Sequence, residues 1–203
     1  LRADAATVDV ERLRALLFDR TDALGRAVPG TVYAVLDGAA VDATEHLPTR
    51  LWELAPGAHE CLYAGTLAPD MAAVAPYLVR LERDAPVSRW LLEQGWGRHW
   101  GIFLRAQVPA ADLRRHLRRF LIVHDEARRP LHFRYYDPRV LPAYLGSCTT
   151  AERRAFVGPV MEFAMQHYPV RNRPGPALLR LAMTMTDELV RVLTPLDAGG
   201  VQA

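Results

Sequence analysis

Apolar residues open the chain with helical spacing. Leu13, Leu16 and Leu17 share one face of residues 8–18, with Glu11, Arg12 and Arg14 set away from it, which predicts a helix. Thr7 or Asp9 would cap it. The spacing then changes. Residues 31–36 (TVYAVL) are unbroken apolar and followed by Asp37-Gly38, which predicts a buried strand and a turn. Residues 41–54 are helical in places but carry Pro48. Residues 60–64 (ECLYA), closed by Gly65, predict a second strand. Residues 76–81 (PYLVRL) predict a third, with Pro76 at its start, where a missing amide costs least. Residues 86–94 predict a helix with proline in its first turn, ended by Gly95.

A further strand is expected at residues 100–104 and a helix at 109–120, where Leu113, Leu117 and Phe120 line one face and Arg114, Arg115, Arg118 and Arg119 lie off it. Residues 121–123 and 131–135 read as two buried strands of a hairpin, with 125–130 as the loop. If Phe133 and Tyr135 face the core, then His132, Arg134 and Tyr136 face the other side. Asp137-Pro138 reads as the opening of another helix. After Gly146, Thr149 and Glu152 form a capping-box pattern for a helix to about residue 156, which residues 160–167 would resume. Residues 171–176 read as a linker. Residues 177–193 read as an amphipathic helix with Leu178, Leu181, Met185, Leu189 and Val192 as its stripe. The expected fold class is α/β (α+β): a mixed-sheet lobe flanked by helices over residues 1–147, then a smaller all-helical lobe over 148–203.

Composition adds three restrictions. Half of the 203 residues are apolar, enough for a full core. The formal charge is +2, and all 25 basic residues are arginine, so the total does not suggest a nucleic-acid binder. Cys61 and Cys148 are the only cysteines; they make neither a zinc pattern nor a disulfide framework and suit a reducing cytoplasm. No apolar run approaches the roughly 20 residues that span a bilayer, so no membrane partner is expected.

Candidate chemistry is thin. The seven histidines form no HxxxH or HExxH, and His124 and His132 on the two hairpin arms lack a third ligand, so no metal is expected. Neither Ser88 nor Ser147 stands in a nucleophile elbow, and no phosphate-binding glycine loop occurs, so no cofactor is expected. An enzyme built on Cys148 and a distant histidine stays open as an alternative. The Arg114–Arg119 stripe admits three readings: a solvated face covering the sheet edge, a contact for an acidic protein, or a weak nucleic-acid site. The octet at residues 134–141 (RYYDPRVL) crowds two tyrosines and two arginines beside a helix start. Arg134 could pair with Asp137 or reach across the sheet. Arginine, tyrosine and tryptophan are over-represented at binding hot spots, so partner contact is expected at Trp96, Trp100, Arg134, Tyr136 and Arg139, and secondarily at Arg115 and Arg119.

That octet resembles the signature of the DUF4123 family. YAVLDGA at residues 33–39 resembles the family's opening strand, LYAG at 62–65 and APYLV at 75–79 its next blocks, WGIFL at 100–104 with LRRHLRRF at 113–120 its centre, and FVGP at 156–159 its closing block. The resemblance implies a non-enzymatic cytoplasmic adaptor, or chaperone, that binds a cognate toxic effector of bacterial type VI secretion and helps load it onto the VgrG spike. It also implies an α/β lobe and a helical lobe with a groove between them. Two departures stand out: Ala127-Arg128 occupies a loop where relatives often have glycine, and the region after Pro159 is short for the family.

Overall fold

The computed structural model describes residues 8–41, 44–167 and 175–196. Its strands are β1 (Thr31–Asp37), β2 (His59–Cys61), β3 (Pro76–Leu81), β4 (Gly101–Ala106), β5 (Ile122–His124), β6 (Pro130–His132), β7 (Val160–His167), β8 (Ala177–Met183) and β9 (Leu189–Pro195). Seven of them form one sheet in the order β2-β3-β1-β4-β7-β8-β9, and β5 and β6 form a separate hairpin. The helices are α1 (Val10–Phe18), α2 (Leu47–Leu54), α3 (Pro69–Val74), α4 (Pro86–Trp90) continued by a π-helical turn (Leu91–Gly95), α5 (Ala110–Arg118), α6 (Leu141–Ser147) and α7 (Thr150–Val157).

The sheet is covered on both faces. Val32, Ala34 and Leu36 of β1 pack with Leu13, Leu17, Leu51 and Leu91 on one side. Tyr33 and Val35 pack with Leu113, Leu117, Leu141 and Phe156 on the other. This double burial is why residues 31–36 show no polar alternation. A buried arginine sits inside the central sheet: Arg105 of β4 is 6% exposed and donates to the carbonyls of Leu17 and Gly30. It staples α1 and the following loop to the strand.

The α+β class holds, with two corrections. Every paired strand of the large sheet is antiparallel, where a mixed sheet is expected. A parallel crossover needs a helix that returns along the strand. The nine residues of α1 or α5 cover roughly 14 Å, against roughly 23 Å for the seven of β1.

The second correction concerns the expected helical lobe. Its first helix forms as α7, with the Thr149–Glu152 capping box in place. Beyond it, residues 160–167 are β7, and residues 177–193 form most of the β8–β9 hairpin. The helical stripe would have buried Met185, which is fully exposed in the turn. Thr184 accepts from the amides of Thr186 and Glu188 there, and Asp187 takes the left-handed conformation at φ 61°. Val190 and Val192, β-branched and alternating, favour the strand. Residues 7, 171–174 and 197–203, which include one expected cap, most of the expected linker and the tail, lie outside the described residues.

The β5–β6 hairpin forms, but its strands are exposed rather than buried, with Ile122 at 41% and Leu131 at 48%. The buried residues are Leu121 before it and Tyr135 after it. In its loop Arg128 adopts φ 59°, the backbone region that explains a preference for glycine there.

Candidate docking groove

The octet at residues 134–141 works first as a staple. Arg134 reaches across to Asp37 at the end of β1 and pairs with its carboxylate, which is 1% exposed. Burial pushes the Asp37 carboxyl above the usual range, against the lowering pull of Arg134. Tyr135 is fully buried and donates to the carbonyl of Leu117 at 3.2 Å. Tyr136 is 4% exposed, and burial pushes its hydroxyl well up. Residues 133–134 leave the strand and residues 135–140 form turns. That is why two consecutive tyrosines both face inward, against the expectation that Tyr136 would face away from Tyr135.

Asp137 closes the staple. Its side chain accepts from the Arg139 amide at 2.9 Å, and Nε of Arg139 donates to it at 2.9 Å. Burial pushes the Asp137 carboxyl up, but the bonds from Arg139 outweigh that and hold it below the usual range. The carbonyl of Asp137 accepts from Val140 and Leu141, so the helix start expected at Asp137-Pro138 is a turn, and α6 begins at Leu141 with Pro142 in its first turn.

Pro138 and Gln166 line two adjoining hollows. The first, a small hollow of ≈ 20 Å³, lies among Trp96, His99, Trp100 and Phe103. The amide of Gly97 donates to Gln166 at 2.8 Å and ties this loop to β7. The second, ≈ 570 Å³, lies between α6 and the strands β7, β8 and β9, lined by Arg139, Pro142, Ala143, His167, Leu179, Arg191 and Leu193. They meet at Pro138 and Gln166, the first on the α1 side of the sheet and the second on the α6 side, which makes the second the candidate docking groove. His99 feels the cluster: burial pushes its ring below the ordinary histidine value, and Arg139 adds to this.

Of the expected contact residues, Trp96 and Trp100 line the first hollow and Arg139 the second. Arg134 lies in the neighbouring staple, half-exposed. Trp100 and Tyr136, however, are 3% and 4% exposed: Trp100 walls the first hollow from within, and Tyr136 is a core residue that lines neither hollow. Arg115 and Arg119 are elsewhere, on α5 and at its C-cap. Arg115 pairs with Asp112 at 2.7 Å. Arg119 donates to Nδ1 of His116 at 2.7 Å and lies over the Phe120 ring. Arg114 donates to the carbonyl of Cys61 at 2.8 Å, so part of the stripe does cover the sheet edge. The groove residues that sequence reasoning missed are Pro142, Gln166, His167, Leu179, Arg191 and Leu193. All but Pro142 fall in the region read as helix, and the valine alternation at 190 and 192 is the signal that could have found them.

His116 is buried between helices. Its Nε2 meets the carbonyl of Phe156 at 2.7 Å while Nδ1 accepts from Arg119, which requires the neutral ring, and burial pushes its pKa down. Gly158 lies against that ring at φ 48°; a Cβ there would stand 2.2 Å from it. The FVGP block at residues 156–159 is thus the lock between α5 and α7.

Cys61 and Cys148 are both half-buried, and burial pushes both thiols up, which disfavours the thiolate a nucleophile needs. The hairpin register sets His124 opposite Pro130 and His132 opposite Ile122. Among the described residues, no group of three His, Cys, Asp or Glu side chains is placed to hold a metal ion. No helix among them is long and apolar enough to cross a membrane.

The sequence model of a family described as a domain of unknown function, DUF4123, matches residues 32–155. The chain belongs to the DUF4123 family. No curated protein and no solved structure matches it. The DUF4123 segment contains the whole staple and the α6 wall of the groove, and it ends before β7. The opposite wall, from Gln166 and His167 to Arg191 and Leu193, lies outside it.

Proposed function

We propose that this protein is a cytoplasmic, non-catalytic adaptor that binds a cognate toxin of bacterial type VI secretion and helps deliver it to the VgrG spike. Membership of the DUF4123 family over residues 32–155 carries the reading. The second hollow supports it: an open, largely apolar space of ≈ 570 Å³ with Arg139 and Arg191 on its walls suits a protein segment. The raised thiols of Cys61 and Cys148 support a non-enzymatic role, and the pairing of Arg114 and Arg115 with Glu60 and Asp112 speaks for a protein partner over nucleic acid.

Co-expression of the tagged chain with the toxin encoded beside it tests the proposal. The toxin is expected to co-purify, and Arg139→Glu to weaken its retention. If neither the toxin nor VgrG is ever retained, the adaptor role is wrong.

A further inference from the structure

The last strand of the sheet presents an unused ladder. The amide of Leu196 donates to Pro176 and that of Thr184 to Glu188, each at 2.9 Å. With the unbroken β8–β9 register, these bonds set the phase: residues 188, 190, 192, 194 and 196 aim their peptide groups at β8. Leu189, Arg191 and Leu193 therefore aim theirs outward, and among the described residues no strand meets them. Pro195, which has no amide, ends the row.

The side chains beside this ladder have a definite chemistry. Val190 and Val192 are 40% and 41% exposed on one face. On the other face Arg191 lies along α6, donating to the carbonyl of Pro142 at 3.0 Å. It needs Gly146 there, because a Cβ at that position would stand 2.6 Å from the guanidinium. Asp137 answers Arg139, but no described carboxylate is within ion-pair distance of Arg191.

We propose that the β9 edge takes up an extended segment of a partner protein as an eighth strand, with a carboxylate of that segment opposite Arg191 and apolar side chains flanking it. The identity of the partner as the secreted toxin rests on the adaptor reading above. Charge selects this occupant over a second copy of the chain. A two-fold pairing that uses all three outward residues sets Leu189 against the other Leu193 and Arg191 against the other Arg191, and like charges directly opposite are destabilising. Sliding the copies by one pair leaves only two of the three positions matched or brings Pro195 into the ladder. A central acidic residue converts the same position from repulsion to attraction.

Hydrogen exchange on the full chain, free and bound to the co-expressed toxin, reads the ladder directly. The amides of Leu189, Arg191 and Leu193 are expected to exchange freely alone and at least about tenfold more slowly in the complex. A complex that forms while these amides stay unchanged overturns the edge proposal and leaves the adaptor reading standing. A synthetic peptide of alternating valine and threonine with a central glutamate provides a separate probe. It should bind about tenfold tighter than its central-lysine counterpart, with the order reversed in Arg191→Glu and the preference lost in Arg191→Gln, which keeps a donor for Pro142. If the toxin never binds but the glutamate peptide protects the three amides, the edge stands and the adaptor role falls. If neither binds, or if the edge is protected by dimerisation without any partner, the edge proposal is wrong.

Discussion

The two ends of the large sheet follow opposite rules. At one end β2 is three residues long, and Arg114 donates to its Cys61 carbonyl while pairing with Glu60. Trp52 and the ring of His59 meet edge to face over the same strand at 5.6 Å. At the other end β9 is seven residues long, its outward peptide groups are unpaired among the described residues, and its valines are exposed. A short, capped edge is an ordinary safeguard against stray pairing. A long, open one with a single arginine in its middle is a safeguard only against itself. The difference teaches that edge protection can be selective: one end is shut to all strands, the other only to those that bring no negative charge.

Four measurements can break or sharpen this contrast. The largest effect is expected at the joint between the two ends. Gly158→Ala forces a side chain into a left-handed backbone and against His116, and should cost about 3 kcal/mol in urea unfolding, lowering protection in β1 and β8 alike. If only one end loosens, the sheet is not a single cooperative unit. Asp37→Ala comes next, at about 2 kcal/mol, because it removes the buried acceptor of Arg134 and of the Ala39 amide while leaving an arginine that can turn to water. Its loss of exchange protection should concentrate in β1 and β3 and spare β8.

Smaller still, Arg114→Ala should cost about 1 kcal/mol by uncovering the β2 edge, whereas Arg191→Gln should change stability by no more than about 0.5 kcal/mol. Equal costs for these two arginines, measured by denaturant midpoint, would mean that both edges are structurally closed. The mildest effect is one of pH. The unfolded chain protonates His116 near the ordinary value of 6.5, while burial holds the folded ring below it. The stabilising contribution is therefore complete above pH 6.5 and drains away as the pH falls through the folded value. His116→Asn should flatten the unfolding midpoint between pH 7 and 5, relative to the native chain.

Much of the closed end was legible in the sequence. The unbroken run at residues 31–36 announced a strand buried on both faces, PYLVRL coincided with β3, and Thr149 with Glu152 marked the start of α7. These signals are local and have one physical reading each. The open end was not legible in the same way. ALLRLAM and LVRVL satisfy a helical stripe as well as a hairpin, and the choice is made by the sheet edge of β7 waiting beside them, which periodicity does not see. The octet at residues 134–141 is legible as unusual, but its purpose depends on Asp37, some hundred residues earlier in the chain. Continuing the alternation of the expected strand at residues 131–135 puts Tyr136 outside; the turn that begins at residue 135 puts both tyrosines inside.

The strand order also sets a schedule for synthesis. β4 lies at the centre of the finished sheet, yet its neighbour β7 is made only after residues 107–159 have been translated. At about 5–20 residues per second, GIFLRA stands as a naked apolar edge for roughly 3–10 s on the ribosome. Arg105 sits inside that run. During those seconds its charge interrupts a segment that would otherwise stick to its like, and only when the fold closes do the carbonyls of Leu17 and Gly30 take it in. The same arginine thus guards the nascent chain before it braces the mature one.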